Sequence, residues 1–273
     1  MISFVGAGPG SPDLITIRGK ERLEKADIVI WASSLVPEAL LAYAPPSAQR
    51  HDSASMTLED VLAVYSANPQ ALIVRLHSGD PSVYGAIQEQ IDFCVANELP
   101  FEIVPGVTSV AAAAAIVGRE LTIPQVSQSV VFTRMAGKTA ASMPDRESVE
   151  AFARIGGTMG IFLSAAHPVA LQKSLLCEGS AFGEMTPALV VIRATWPDEE
   201  VHWTRLGNLA GTIKQTGARR TLLVIVGEVL TETANRSHLY SPSYAHIFRH
   251  RSSTGTTTGR PTAAAKRRDD LVR

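Results

Sequence analysis

The first half of the chain alternates short apolar runs with longer segments in which apolar and charged residues recur at helical spacing. The apolar runs predict buried strands at residues 2–5, 27–31, 71–76 and 100–104. The segments between and after them predict helices at residues 17–25, 37–44, 57–67, 81–97 and 107–117. Thr57 is a predicted N-cap, with Asp60 three residues later. Strands separated by helices of this length predict βαβ units and a parallel sheet.

A second α/β pattern follows a break near residues 122–128. It predicts strands at residues 129–133, 158–163, 188–192 and 222–226, and helices at residues 146–155, 169–177 and 206–216. Residues 200–205 alternate weakly and indicate an edge strand. Because strands are denser in this half, we expect a mixed sheet. The fold class is therefore α/β, with two α/β domains at residues 1–118 and 125–233.

Size and charge refine this picture. At 273 residues, of which 45% are hydrophobic, the chain suits two domains of ordinary size. Residues 236–273 carry eight Lys or Arg and two Asp, a net charge of +6, and little to bury, which predicts a disordered basic tail. The first 235 residues carry a net charge of −7. That charge disfavours nucleic acid as a partner.

The two cysteines, Cys94 and Cys177, lie far apart in apolar surroundings and are expected to be inert. They exclude a disulfide-rich scaffold and a cysteine-based metal site. We find no signal-peptide pattern and no apolar run of the roughly 18 residues that a membrane span needs. The sequence therefore predicts a cytoplasmic protein with no bound metal and no membrane partner.

A glycine-rich loop, GAGPG at residues 6–10, follows the first predicted strand and allows a ligand to approach the backbone closely. It is not a dinucleotide fingerprint, because GxGxxG requires glycine where Ser11 stands. The second strand also ends in Trp31-Ala32-Ser33, without an acidic residue for a ribose. Residues 136–139, AGKT, mimic the end of a P-loop, but Phe132 replaces the required first glycine. NAD binding and Walker-type ATP hydrolysis are both disfavoured.

Two further loops join a strand to a helix: SGDPSVYG at residues 78–85 and VPGVTS at residues 104–109. Asp80 suits an N-cap with Pro81 as the first helical residue, or a ligand contact. Thr108 and Ser109 suit N-caps or ligand donors. Open α/β sheets bind ligands at this edge. No nucleophile–base pair is evident, so we expect a cofactor to supply the reactivity.

The motifs GAGPGSPDLIT, SGDPSVYG and VPGVTS resemble, in order and spacing, those of the tetrapyrrole methyltransferase family over residues 1–230. These are the S-adenosylmethionine enzymes of sirohaem and cobalamin synthesis. TRMAGKT at residues 133–139, with the upstream segments YAPPSAQ and SLVPEAL, looks most like the branch that methylates C11 of precorrin-4. The resemblance implies two α/β domains with S-adenosylmethionine in a cleft between them, a homodimer, and a tetrapyrrole substrate.

The same resemblance carries over a set of site residues. Those that match cofactor contacts are Pro9, Ser78, Gly79, Asp80, Val83, Thr108, Ser109, Leu163 and Ala194. The resemblance assigns no general base, and no catalytic residue is named. The substrate carries many carboxylates, so we expect Arg134 and Lys138 to bind it, with Arg75 and His77 as weaker candidates.

Trp31-Ala32-Ser33 replaces the Tyr-Asp-Arg that uroporphyrinogen-methylating relatives often carry, which favours a later corrinoid step. The alternatives are methylation of another precorrin position, of uroporphyrinogen III, or of a macromolecule, as in the diphthamide and ribosomal-RNA relatives. A non-catalytic cofactor-binding protein is the alternative from another class.

Overall fold

The computed structural model describes residues 1–135, 143–231, 237–241 and 243–250, and they divide into two compact α/β units. The first unit is Met1–Ala112 together with Arg193–Glu199. The second contains the described residues of Ala113–Ile192 and those from Glu200 onward. The predicted α/β fold class with two domains is confirmed. The domain limits of 1–118 and 125–233 stay a prediction.

The described residues of the first unit form one parallel sheet, as predicted, with five strands instead of the four that the sequence predicts. Its strands are β1 (Ile2–Gly6), β2 (Ile28–Trp31), β3 (Gln49–Asp52), β4 (Ile73–His77) and β5 (Phe101–Val104), in the order β3-β2-β4-β1-β5. Its helices are α1 (Ile17–Leu23), α2 (Leu58–Ala67), α3 (Gln88–Ala96) and α4 (Ser109–Ile116), the last of which crosses into the second unit. Successive side chains of β1 pack in different apolar clusters, Phe4 in one and Val5 in the other. Both faces of the sheet are therefore covered.

The described residues of the second unit form a mixed sheet, also as predicted. Its strands are β6 (Val130–Arg134), β7 (Thr158–Phe162), β8 (Pro187–Ile192), β9 (Glu200–Arg205) and β10 (Leu222–Val226), in the order β6-β7-β10-β8-β9. The pair β6–β7 is parallel and the remaining pairs are antiparallel. The helices are α5 (Val149–Ile155), α6 (Pro168–Leu175) and α7 (Leu209–Thr216). The predicted edge strand at residues 200–205 is confirmed as β9.

The Thr57 cap is confirmed as a reciprocal capping box. Thr57 Oγ1 accepts a hydrogen bond from the Asp60 backbone N–H at 3.2 Å, and the Asp60 carboxylate accepts one from the Thr57 N–H at 2.9 Å. Residues 37–44, predicted as a short helix, form a 3-10 helix at Glu38–Tyr43. The α-helix predicted from residue 146 begins at Val149, after a 3-10 turn at Asp145–Glu147.

One predicted helix is much shorter than expected. Residues 81–97 were predicted to be helical, but α3 begins at Gln88. Tyr84 and Ala86 have φ angles of 58° and 49°, which a right-handed helix does not allow. The residues before Gln88 therefore extend the loop that follows β4.

The tail lies only partly within the described residues. His238–Tyr240 form a 3-10 helix, and His246 and Arg249 form an isolated bridge. The segment 252–270, on which the disorder prediction rests, lies outside the described residues. None of the helices in the described part of the chain has the length and hydropathy of a membrane span.

Candidate functional site

Three loops leave the carboxyl ends of β4, β1 and β5, which are neighbours in the sheet. We call them the glycine loop (residues 6–11, after β1), the aspartate loop (residues 78–87, after β4) and the threonine loop (residues 105–108, after β5). Parallel neighbours end at the same edge of a sheet, so the three loops lie side by side. This confirms the predicted grouping of the three motifs at one sheet edge.

Glycines let the three backbones touch. Gly8 and Gly79 form a bridge, in which the Gly79 N–H donates to the Gly8 carbonyl at 2.8 Å and the Gly8 N–H donates to the Gly79 carbonyl at 3.2 Å. A Cβ added to Gly106 would lie 2.1 Å from the Gly79 carbonyl oxygen and 2.7 Å from the Gly6 Cα. Only glycine fits at positions 6 and 106 without moving the backbone.

Gly79 differs from these closely packed glycines. Its φ angle of 66° is left-handed, and an added Cβ would meet nothing closer than the Thr108 Cα at 3.7 Å. The loops therefore have room for a Cβ at Gly79, in ordinary van der Waals contact with the threonine loop, while they close the space around Gly6 and Gly106. Half-buried hydroxyl residues border this part of the loops, namely Ser78, Thr108 and Ser109. Backbone groups and small hydroxyls at one edge of a sheet suit the recognition of a polar small molecule.

Asp80 ties the aspartate loop to the threonine loop. One carboxylate oxygen accepts the Gly106 N–H at 2.8 Å, and the other accepts the Ser82 N–H at 2.8 Å. The prediction that Asp80 caps a helix beginning at Pro81 is wrong, because residues 81–87 are a loop. Val83 lies within this loop and donates its backbone N–H to the Asp80 carbonyl at 3.1 Å.

Thr108 is an N-cap, which is one of the two roles predicted for it. Its hydroxyl oxygen accepts the Ala111 N–H at 3.3 Å, at the start of α4. Ser109 is the first residue of that helix. Thr108 thus caps α4 at a position next to Gly79.

The residues between β8 and β9 belong to the first unit and contact the glycine loop. We call Arg193–Glu199 the tryptophan segment. Its Trp196 indole N–H donates to the carbonyl of buried Pro9 at 3.0 Å, and its Thr195 hydroxyl accepts the Ser11 N–H at 2.8 Å. Ala194, predicted to contact the cofactor, is buried in the same segment. Sequence reasoning missed Thr195 and Trp196, because no local pattern signals a contact between residues 184 positions apart.

The predicted residues of the second unit lie on adjacent strands. Arg134 ends β6 opposite Phe162 of β7, and Leu163 follows Phe162 directly. The Leu163 side chain is 64% exposed and its φ angle is 54°, a rare conformation for leucine. Arg134 is half-buried. Lys138, the other predicted substrate contact, lies outside the described residues.

The weaker substrate candidates are internal to the first unit. His77 is buried, and this burial lowers the pKa of its imidazole to about 3, helped by the charge of Arg75. A neutral, buried imidazole does not pair with a carboxylate at neutral pH, so the prediction for His77 is wrong. Arg75 donates to the Ser53 hydroxyl at 2.8 Å.

The described residues hold no cluster of three or more His, Cys, Asp or Glu placed to bind a metal ion. Cys94 is buried and Cys177 is half-buried, and both are free thiols. The polar groups at the candidate site are backbone amides, hydroxyls and one carboxylate already bonded to two amides. Such a set orients a ligand and supplies no nucleophile.

Comparison with known proteins agrees with this chemistry. The sequence profile of the Tetrapyrrole (Corrin/Porphyrin) Methylases matches residues 1–210. A cobalt-precorrin-4 C(11)-methyltransferase of Methanocaldococcus jannaschii is 43% identical over 91% of this chain and 95% of its own length. A precorrin-4 C(11)-methyltransferase of Pseudomonas aeruginosa is 41% identical over 91% and 98%. A solved cobalt precorrin-4 methyltransferase is 38% identical with a TM-score of 0.80, covering 85% of this chain and 96% of that one.

The chain belongs to the tetrapyrrole (corrin/porphyrin) methylase family. Methylases of this family take their methyl group from S-adenosylmethionine. The chain is accordingly an S-adenosylmethionine-dependent methyltransferase.

Proposed function

We propose that the protein transfers a methyl group from S-adenosylmethionine to C11 of precorrin-4 and so forms precorrin-5. The observation that carries this proposal is the identity of 41–43% to two C(11)-methyltransferases over nine-tenths of the chain. The metal-free and the cobalt-containing forms of precorrin-4 are the two candidate substrates. The Methanocaldococcus relative favours the cobalt form and the Pseudomonas relative favours the metal-free form.

The proposed cofactor site is built on the three loops of the first unit. Its residues are Pro9, Ser78, Gly79, Asp80, Val83, Thr108 and Ser109, together with Ala194 of the tryptophan segment and Leu163 after β7. The meeting of the three loops beside Gly79 supports this assignment, because it brings backbone groups and small hydroxyls together at one edge of the sheet. Asp80 acts by fixing two loops through backbone amides, and it is not proposed as a base.

Bound S-adenosylmethionine supplies an electrophilic methyl group, whose bond to sulfur breaks as the bond to the substrate carbon forms, leaving S-adenosylhomocysteine. The residues of the chain therefore need to align the reacting atoms. Alignment of two reactants in a fixed geometry is worth up to roughly 7–11 kcal/mol in well-oriented cases. The fixed loop backbones around Gly79 suit that role.

Substrate recognition is proposed for Arg134, with Lys138 as a second cation. Precorrin-4 carries many carboxylates, and an arginine pairs with a carboxylate through two parallel hydrogen bonds. Arg134 is suited to this because it ends β6 and is half-buried, which limits the freedom of its side chain. We further propose that the enzyme works in the cytoplasm as a homodimer, as the family resemblance implies.

A label-transfer assay tests the proposal. Purified protein is incubated with S-adenosylmethionine carrying a labelled methyl group, separately with metal-free precorrin-4, cobalt-precorrin-4, uroporphyrinogen III and ribosomal RNA. We expect label in one of the two precorrin-4 forms, and mass spectrometry of the product identifies which. Label in uroporphyrinogen or RNA supports an alternative methylase. Tight cofactor binding without transfer to any of these substrates supports a non-catalytic cofactor-binding protein.

A further inference from the structure

We propose that Trp196 is a positioning residue, which sets the glycine loop in the conformation that binds S-adenosylmethionine. This inference rests on the proposed cofactor site. The tryptophan segment joins two strands of the second sheet, yet its contacts are with the glycine loop of the first unit.

The indole of Trp196 contacts the glycine loop in two ways. Its N–H donates to the Pro9 carbonyl at 3.0 Å. Its ring lies against Gly10, where an added Cβ would fall 2.3 Å from the Trp196 Cδ1 and 2.8 Å from the Ala194 carbonyl oxygen. The tryptophan thus packs on Gly10, where any side chain would displace it, and it holds the Pro9 carbonyl that precedes Gly10.

A second hydrogen bond holds the next residue of the loop. The Ser11 N–H donates to the Thr195 hydroxyl at 2.8 Å, and the Thr195 N–H donates to the Glu199 carboxylate at 2.6 Å. Arg193 places its guanidinium 5.5 Å from the centre of the Trp196 ring and pairs with Asp198. The segment is therefore held by contacts among its own residues as well as by those with the glycine loop.

The tryptophan segment also holds two strained residues. Arg193 and Thr195 have φ angles of 49° and 65°. A β-branched residue such as threonine rarely adopts a left-handed backbone. Strain of this kind persists where surrounding contacts impose it, and it clusters at ligand sites. Here it turns the Thr195 hydroxyl and the Trp196 indole toward the same loop.

The physical effect is preorganisation. A loop with three glycines in five residues has many accessible conformations, and ordering them on binding would weaken affinity. The two hydrogen bonds and the ring contact remove that freedom before the cofactor arrives. Trp196 and Thr195 are therefore expected to change cofactor affinity without touching the reacting carbon.

The test compares four variants of the full-length protein by calorimetric titration with S-adenosylhomocysteine. Trp196→Phe keeps a ring but removes the N–H, and Thr195→Val keeps the shape but removes the acceptor. We expect each to raise the Kd about fivefold, the effect of one neutral hydrogen bond. Thr195→Ser restores the acceptor and should stay within about twofold of wild type. Trp203→Phe, the same substitution on β9 in the second unit, is the matched control and should change nothing.

The readouts separate positioning from a general structural role. If Trp196 and Thr195 position the loop, their variants should raise the KM for S-adenosylmethionine and leave kcat at saturating cofactor unchanged. Thr195→Ser and Thr195→Val should also unfold at the same thermal midpoint. Unchanged Kd in both Trp196→Phe and Thr195→Val would overturn the inference while the proposed function stands. A wild-type protein that fails to bind S-adenosylhomocysteine would overturn the proposed site and, with it, the role of Trp196.

Discussion

The Asp80 carboxylate accepts the backbone N–H of Gly106 at 2.8 Å and so joins the aspartate loop to the threonine loop, 26 residues further along the chain. The other carboxylate oxygen accepts the Ser82 N–H at the same distance. A single acidic side chain therefore sets the spacing of two loops that meet beside Gly79. This arrangement gives the carboxylate a structural task at the centre of the proposed cofactor site.

Replacing Asp80 by asparagine should weaken both the fold of the loops and cofactor binding. The amide offers one acceptor in place of two, and its NH₂ group would face a backbone donor. Loss of one charge-assisted hydrogen bond should lower the free energy of unfolding by about 1.5–3 kcal/mol. We expect the Kd for S-adenosylhomocysteine to rise at least about tenfold by calorimetry.

Asp27→Asn is the matched control for this substitution. The Asp27 carboxylate accepts the Leu72 N–H at 2.8 Å, just before β2 and β4 begin, so it lies at the amino edge of the same sheet. This variant should lose stability without losing cofactor affinity. An Asp80→Asn protein that binds the cofactor like wild type would remove Asp80 from the proposed site.

Alanine at two glycines should separate backbone strain from steric overlap. Gly79→Ala has room for its Cβ and meets only the left-handed φ angle, which should reduce stability by about 1–2 kcal/mol. Gly106→Ala places its Cβ 2.1 Å from the Gly79 carbonyl, so we expect a loss of roughly 3 kcal/mol. Urea denaturation of the two variants measures this difference. Equal losses would contradict the close packing of the aspartate and threonine loops.

Buried His77 should make stability depend on pH. Its pKa of about 3 in the folded protein lies below the roughly 6.5 of an unfolded chain. Above pH 6.5 the imidazole is neutral in both states and stability is greatest. As the pH falls from about 6.5 toward 3, the unfolded chain binds a proton that the native state excludes. The free energy of unfolding should then decrease by up to about 1.4 kcal/mol per pH unit.

His77→Gln should flatten that profile, so that wild type loses about 2 kcal/mol more than the variant between pH 7 and pH 5. Chemical denaturation at each pH supplies the values. The control is His202→Gln, at a partly exposed histidine that lies beside Glu200 on β9. Parallel profiles for wild type and His77→Gln would show that His77 is not held neutral.

Arg134 should affect the tetrapyrrole and not the cofactor. Arg134→Ala should raise the KM for precorrin-4 about ten- to a hundredfold, the effect of losing one charge-assisted hydrogen bond. Arg134→Lys should recover part of the lost substrate affinity, because a lysine ammonium group does not form the bidentate contact with a carboxylate. Steady-state kinetics with a direct cofactor titration checks both. Equal losses for the two ligands would assign Arg134 a structural role instead.

The sequence predicts the sheets well because most strands are buried apolar runs. β1 and β4 follow from such runs, and β5 follows from a short apolar stretch although it is an edge strand whose Val104 alone is buried. The glycine-containing loops after these strands could therefore be placed at one sheet edge. β3 was missed because its residues, Gln-Arg-His-Asp at Gln49–Asp52, form a polar edge strand without an apolar signal. A strand can thus be predicted from its own residues where it is buried, because burial requires apolar side chains.

The site is less predictable where backbone geometry and distant contacts decide. Nothing in residues 78–86 signals that Tyr84 and Ala86 take left-handed conformations, so the predicted helix begins too early. The hydrogen bond between the Asp80 carboxylate and the Gly106 N–H could not be predicted, because predicting it requires the order of the strands in the sheet. A single sequence does not supply that order. The contacts of Thr195 and Trp196 join residues far apart in the chain and become visible only when the chain is folded.

The position of the transferred methyl group is the most direct test of the proposed methylation at C11. Purified protein, precorrin-4 in its metal-free and cobalt forms, and S-adenosylmethionine with a carbon-13 methyl group are combined, and the product is examined by NMR. The account predicts one labelled methyl group, bonded to C11. A labelled methyl at another carbon of the macrocycle, or none in either form while the protein binds the cofactor, would contradict it.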